Sequence, residues 1–422
     1  MIVATDSSAI LGIGDQGHGG LAISIGKLSL YTAGGGLSPF NTLAVNLDVG
    51  TNRDDLIADP GYLGVREKRL TGDAYFAVLD QFVSAIKKRW PKAIIQWEDF
   101  AKDVAFAVLE RYRDQIPSFN DDIQGTGAVV LAGLLSACKM KGENLRDQRI
   151  MVVGAGAGGV GVAKVIQDGL VHEGLTREEA RRQMYIMDEF GLVVEGISPD
   201  AYKKPIMQFK ESYEDWEIKA EIPTIIEVIK HAKPTILLGL TGVSGLFTQE
   251  IIEGMAAVSD SPIIFPLSNP TANVEALPQD IFNWTKGKAI IASGSPFADV
   301  TFEDKSQSVG QGNNAFVFPG LGFAAILGRC KRISDAMVLE SAYALAEFTE
   351  NNYADQCLIY PPVSVLQEVS IQVAARVLRK ALEDSSSARQ DLQGENLIDY
   401  VRSRFWKPEY LPYHFVENLQ TT

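Results

Sequence analysis

Two acidic pairs carry the most legible chemistry in this chain: Glu98 and Asp99 in I-I-Q-W-E-D-F, and Asp121 and Asp122 in F-N-D-D-I-Q-G-T. Each pair follows a short stretch, residues 93–97 and 116–119, that reads as a strand. Both pairs are therefore expected at carboxyl ends of strands, where open α/β sheets bind ligands. Four carboxylates brought together repel one another unless a cation neutralises them. An all-oxygen donor set suits Mg²⁺ or Mn²⁺, so a metal site is the first expectation. The alternative is a pair of solvated acidic loops.

A second site announces itself at Gly154, Gly156 and Gly159, which match G-x-G-x-x-G with Ala155 inside the turn. The motif falls between a strand at 149–153 and a helix at 160–172, the context that gives it weight. The first glycine permits the tight turn, the second lets a pyrophosphate approach the backbone, and the third allows close helix–strand packing. The helix N-terminus adds N–H donors for the phosphates. Asp188 ends the next strand, M-Y-I-M-D, where an acid accepts hydrogen bonds from the adenosine ribose diol. It lies beyond the usual spacing of about 20 residues because E-G-L-T-R-E-E-A-R-R lengthens the connection. A carboxylate there disfavours a 2′-phosphate, so NAD is expected over NADP.

Lys27 sits in an otherwise apolar helical segment, I-S-I-G-K-L-S-L-Y. Such a lysine either snorkels to solvent, the reading its neighbours favour, or is desolvated with a lowered pKa and suited to act as a base. Asn269 in S-N-P-T follows the strand at 262–266, and Asn313 and Asn314 lie in G-Q-G-N-N-A-F. Paired amides in glycine-rich loops are turn residues, or donors to a carboxylate and a nicotinamide amide. None of the four histidines is assigned to catalysis: His18 reads as incidental, and His172, His231 and His414 as helix-surface residues.

The elements that must position these groups follow an alternating pattern. Strands are expected at 2–5, 43–48, 93–97 and 116–119, with helices at 21–33, 73–89 and 101–113, and a long apolar helix at 125–140. From 149 the alternation resumes through 184–188, 235–239, 262–266 and 289–293. The sequence is thus expected to be α/β: two doubly wound parallel-sheet domains, the second a Rossmann-type unit inserted in the first, with a helical C-terminal extension. Boundaries are read as 1–121 plus 314–385, 122–313, and 386–422. Late helices are expected at 333–347, 363–383 and 396–405.

Bulk composition narrows the class. The 422 residues include 46% hydrophobic ones, enough for sizeable cores, and a net charge of −14 disfavours nucleic acid and anionic membranes. The three cysteines, widely spaced, suggest neither disulfides nor zinc, and point to a reducing compartment. No apolar run reaches the roughly 18 residues of a membrane span, and acids and glycines interrupt any signal peptide. A soluble cytoplasmic protein is expected.

Taken together, I-L-G-I-G-D-Q-G, I-G-K-L-S-L-Y-T-A, L-D-V-G-T-N, Q-W-E-D-F-A, F-N-D-D-I-Q-G-T, P-L-S-N-P-T, A-S-G-S-P-F and G-Q-G-N-N-A-F-V-F-P-G closely resemble the malic enzyme family, including its malolactic branch. The resemblance covers nearly the whole chain. It implies that Glu98, Asp99 and Asp122 bind a divalent metal, Mn²⁺ or Mg²⁺. It makes Lys27 the general base, against the local reading, with Asp121 an acid beside it. Asn269 and Asn314 then contact substrate or cofactor. The implied reaction is NAD-dependent oxidative decarboxylation of (S)-malate to pyruvate and CO₂, by a homodimer or homotetramer.

Two departures bear on that expectation. The family's tyrosine acid lies upstream of I-L-G-I-G-D-Q-G, before the point where this chain starts. Ala9 stands where malic enzymes usually carry an arginine and malolactic enzymes a small residue. Malolactic conversion of malate to lactate is therefore the second expectation, and a catalytically silent NAD- and metal-binding paralogue the third.

Overall fold

The computed structural model describes residues 1–197, 200–219, 221–410 and 412–413; His414 lies outside them. Two parallel sheets organise the molecule. The smaller contains β1 (Ile2–Thr5), β2 (Leu43–Asn46), β3 (Ile95–Glu98) and β4 (Ser118–Asn120), in the order β2-β1-β3-β4. β1, β3 and β4 are buried at every position, as parallel strands covered on both faces must be. The order reverses at β1, which places a switch point between β1 and β3. Helices α1 (Leu21–Ala33), α2 (Asp54–Ala58), α3 (Gly72–Arg89) and α4 (Lys102–Tyr112) connect these strands. α3 buries Tyr75, Leu79, Val83 and Ile86, one apolar stripe at helical spacing.

Register does the positioning. Thr5 pairs with Glu98 and Trp97 with Asn120, so three neighbouring strands end at one level. The polar residues that follow them, Asp6, Asp99 and Asp121, emerge along one edge.

After β4 a π-helical turn, Asp121–Gly125, runs into α5 (Thr126–Lys141). Together they form a 21-residue helix, Asp121–Lys141, long and apolar enough by composition to cross a membrane. No run of that kind was expected from the sequence, because acids and small polar residues interrupt it. Its most apolar stretch is 78% buried inside the protein, which makes it a core helix.

The larger sheet has seven strands in the order β13-β10-β9-β8-β5-β6-β7. They are β5 (Ile150–Val153), β6 (Met184–Asp188), β7 (Gly191–Leu192), β8 (Ile236–Gly239), β9 (Ile263–Pro266), β10 (Ile290–Ser293) and β13 (Gly310–Gln311). A hairpin of β11 (Val300–Phe302) and β12 (Lys305–Gln307) precedes β13. Within the seven-stranded sheet only β7 runs antiparallel. Five of these strands were expected; β7 and β13 span two residues each, too few for any pattern to register. Helices α6 (Ala157–His172), α7 (Arg177–Arg182), α8 (Ile225–Ala232), α9 (Gln249–Val258) and α10 (Pro278–Trp284) cover this sheet.

Among the described residues four helices follow: α11 (Phe318–Leu327), α12 (Asp335–Tyr353), α13 (Leu366–Glu383) and α14 (Leu397–Arg404). α12 packs on α5 and α13, while Trp406 donates its backbone N–H to Gly36 O at 2.7 Å beyond the end of α1. The late chain thus returns to the smaller sheet.

Candidate active site

Strand geometry alone would separate Glu98 from Asp99, because successive side chains point to opposite faces. Asp99 escapes that alternation with a left-handed backbone, φ 58°, a conformation aspartate tolerates better than most residues. Its carbonyl accepts from Ala9 N at 3.1 Å, and its N–H donates to Asp122 Oδ2 at 2.8 Å. Glu98, Asp99 and Asp122 consequently bring one carboxylate oxygen each within 4.8 Å of one another. The expectation of solvated loop acids does not describe them: Glu98 is 3% and Asp99 5% exposed.

The π turn splits the second pair just as usefully. Asp122 joins the trio, whereas Asp121, fully buried, faces Lys27. Lys27 Nζ lies 2.5 Å from Asp121 Oδ2 and 2.9 Å from Glu98 Oε1, with the Phe318 ring 4.7 Å away. Asn314 Nδ2 donates to Asp121 Oδ2 at 2.6 Å. The Lys27 side chain is only 15% exposed, so snorkelling is ruled out. It is held by charges on other elements that its own helix could not announce.

Electrostatics reflect this crowding. Burial would lower the Lys27 pKa, but the Asp121 and Glu98 carboxylates overcome it and hold the ammonium above its ordinary value. Burial pushes Asp121 up to about 7 against the pull of Lys27. Burial and the charge of Glu98 raise Asp99 to about 7 and Asp122 well above its ordinary range. Three such oxygens suit a hard divalent cation, which supplies the charge they lack.

At the other end of the same cleft lies the glycine turn. Gly154 has φ 111°, and a Cβ there would fall 2.3 Å from Leu240 O; one on Gly159 would fall 1.8 Å from Gly154 O. Gly156 has nothing within 4 Å of its missing side chain, an open cradle at the start of α6. That is the arrangement a pyrophosphate requires. Ala155 is buried in the turn.

The cavity, of about 650 Å³, is lined by Lys27, Glu98, Asp99, Asp122, Gly156, Asn269, Asn313 and Asn314 together. Asn269 Oδ1 accepts from Ser295 Oγ at 2.6 Å. Asn313 serves its own loop, its side-chain oxygen accepting from Ala315 N at 2.9 Å. Ala9 also lines the cleft. Asp188 does not: it ends β6 beside the turn, where Gly154 N donates to Met187 O, and it pairs with Lys203 Nζ at 3.3 Å.

The three described histidines stay clear of the cleft. His18 packs near Tyr62 and His172 is exposed at the end of α6, but His231 stacks on Trp216 and is half-buried, not a surface residue.

Sequence reasoning missed Lys203, Tyr31 and Gln96. Tyr31 OH donates to Gln96 Oε1 at 2.6 Å, and Gln96 Nε2 to Glu98 Oε2 at 2.9 Å, so the amide is oriented to hold the acid. The signals were present: Tyr31 is four residues from Lys27 on one helix face, and Gln96 two from Glu98 on one strand face. Lys203 lies in a charged excursion with no periodicity to flag it.

Comparison with known proteins agrees with this geometry. A family model described as malic enzyme, N-terminal domain, matches residues 1–113, and one described as malic enzyme, NAD binding domain, matches residues 123–382. The chain is 44% identical to the NAD-dependent malic enzyme of Acinetobacter baylyi, over 98% of this chain and 73% of that protein. It is 45% identical to the NAD-dependent malic enzyme of Vibrio campbellii, with the same coverage. Among solved structures, the Entamoeba histolytica malic enzyme superposes with a TM-score of 0.76 at 23% identity, covering 96% of this chain and 73% of that one. The Pyrococcus horikoshii malic enzyme gives 0.68 at 24% identity, covering 96% and 81%. Two adjoining family models and these long, continuous identities lead to one conclusion: the chain belongs to the malic enzyme family.

Proposed function

We propose that this chain catalyses the oxidative decarboxylation of (S)-malate to pyruvate and CO₂, with NAD as hydride acceptor and Mn²⁺ or Mg²⁺ as the metal. The observation that carries the reading is the single cleft in which three clustered carboxylates and a half-buried lysine face an open glycine turn. Relatives named NAD-dependent malic enzyme support it.

In this reading Glu98, Asp99 and Asp122 would hold the ion, which would supply Lewis-acid chemistry for the decarboxylation. Lys27 would first pass its ammonium proton to Asp121, 2.5 Å away, and then take the C2 hydroxyl proton as the C2 hydride leaves for the nicotinamide ring. Asp121 and Asn314 hold Lys27 in place, and Asn269 and Asn313 contribute to the cofactor and substrate walls. Gly154, Ala155, Gly156 and Gly159 seat the pyrophosphate, with Asp188 at the ribose. Residues 1–121 and 314–385 form the metal and substrate domain, 122–313 the NAD domain and 386–422 an extension. A cytoplasmic homodimer or homotetramer completes the proposal.

One observation favours a second reading. Ala9 lines the cleft without a charged group, which suits the malolactic conversion of malate to lactate with NAD retained. Incubation with malate, NAD and Mn²⁺ separates the two. Growth of NADH absorbance with matching pyruvate supports the first. Lactate without NADH replaces it with the second, and no turnover despite NAD and Mn²⁺ binding leaves a silent paralogue.

A further inference from the structure

Glu275, on the segment between β9 and α10, is 0% exposed. Among the described residues no lysine, arginine or histidine pairs with it. Its carboxylate gathers donors from two loops instead. Oε1 accepts from Thr241 N at 2.8 Å, from Thr241 Oγ1 at 2.9 Å and from the Ser268 hydroxyl; Oε2 accepts from Ser268 N at 3.4 Å.

The two backbone amides can only donate, one to each carboxylate oxygen. Thr241 Oγ1 accepts from Val243 N at 3.0 Å, and Ser268 Oγ from Gly242 N at 2.8 Å, which leaves the single proton of each hydroxyl directed at Glu275. Four converging donors fit an acceptor-only carboxylate, and a buried charge without a counter-ion is costly unless it is bonded in this way.

Thr241, Gly242 and Ser268 line the cleft. Thr241 adjoins the glycine turn, since a Cβ on Gly154 would lie 3.1 Å from Thr241 N, and Ser268 precedes Asn269. A carboxylate therefore stands one hydrogen bond behind the part of the cleft wall that Thr241 and Ser268 form beside the glycine turn.

Resting on the NAD reading above, we propose that Glu275 sets the cleft's preference between the two redox forms of the nicotinamide cofactor. It positions Thr241 and Ser268, and its charge favours the cationic oxidised ring over the neutral reduced one. Adenosine and pyrophosphate are common to both forms, so their contributions cancel when the two affinities are compared. A purely structural tie between loops would change both affinities by the same factor.

Titration of the full chain with NADH, followed by fluorescence, and with NAD in competition against it, gives both dissociation constants. In Glu275→Gln the ratio of the NAD to the NADH constant is expected to rise roughly tenfold, the scale of a single charge–charge interaction screened by a protein interior. An unchanged ratio overturns the proposal, however much the separate affinities fall. Should that variant lose its thermal melt, Glu275→Asp still decides. It keeps the charge and is expected to keep the ratio within about twofold, and a larger change overturns the role. Failure of the unaltered chain to bind either nucleotide would remove the NAD reading itself, a result distinct from an unchanged ratio.

Discussion

At the scale of single residues the proposed chemistry divides between Lys27 and Asp122. Lys27 reaches Asp121 and Glu98 from a helix that otherwise presents apolar groups, and its ammonium is the cationic partner at the heart of the acidic cluster. Removing it as Lys27→Ala is expected to lower kcat by about 10²–10⁴-fold, the usual worth of a positioned acid–base group, with a much smaller change in KM. Steady-state kinetics on malate checks this, and a loss confined to KM would make Lys27 a binding group only. Asp122→Asn keeps the side-chain shape but removes one of three clustered charges. It is expected to weaken Mn²⁺ binding by at least about tenfold while NADH titration stays near the unaltered value. Equal loss of both ligands would show that the two sites are not separable.

The elements that hold these residues meet at two glycines. A Cβ on Gly159 would strike Gly154 O within the turn itself, whereas one on Gly161 would lie 2.4 Å from Ile123 O in the π turn. The first contact is internal to the nucleotide loop; the second joins α6 to the segment that carries Asp121 and Asp122. Gly159→Ala is therefore expected to weaken NADH binding by roughly tenfold or more, at a stability cost of about 1–3 kcal/mol, with Mn²⁺ affinity preserved. Gly161→Ala is expected to weaken both ligands, because it shifts the cofactor helix against the metal-bearing turn. Parallel calorimetric titrations of the two variants distinguish these outcomes; identical profiles would disprove a seam between the sites. Most element positions were legible because buried parallel strands and amphipathic helices write their periods directly into the chain. The π turn was not, since one extra residue in a helical turn leaves no periodic trace.

At the scale of the whole molecule, two sheets and the returning C-terminal helices converge on one acidic cleft, and its stability should follow its charge. In the metal-free chain Asp99 and Asp121 are raised to about 7. The folded state therefore binds these protons more tightly than the unfolded state does. Their stabilising contribution is complete below the ordinary carboxylate value of 3.8 and is lost as pH rises through about 7. EDTA-treated protein is expected to melt at a lower temperature at pH about 7.5 than at about 5.5, and saturating Mn²⁺ to raise the higher-pH melt more. Differential scanning calorimetry checks this, and an EDTA-treated melt that does not fall would exclude mutual carboxylate repulsion as a cost. By itself the sequence determined which residue types were available and where most strands and helices lie: the acid pairs at strand ends, the glycine turn between β5 and α6, and the doubly wound order of elements. Only the tertiary structure decided that Lys27 is set among carboxylates, that Asp121 and Asp122 face different partners, that Lys203 pairs with Asp188 and that Glu275 lies behind the cleft wall. Periodicity is a local property of the chain and can be read along it. Charge pairing across 94 residues, as between Lys27 and Asp121, is a property of three-dimensional proximity and exists only once the sheets have packed.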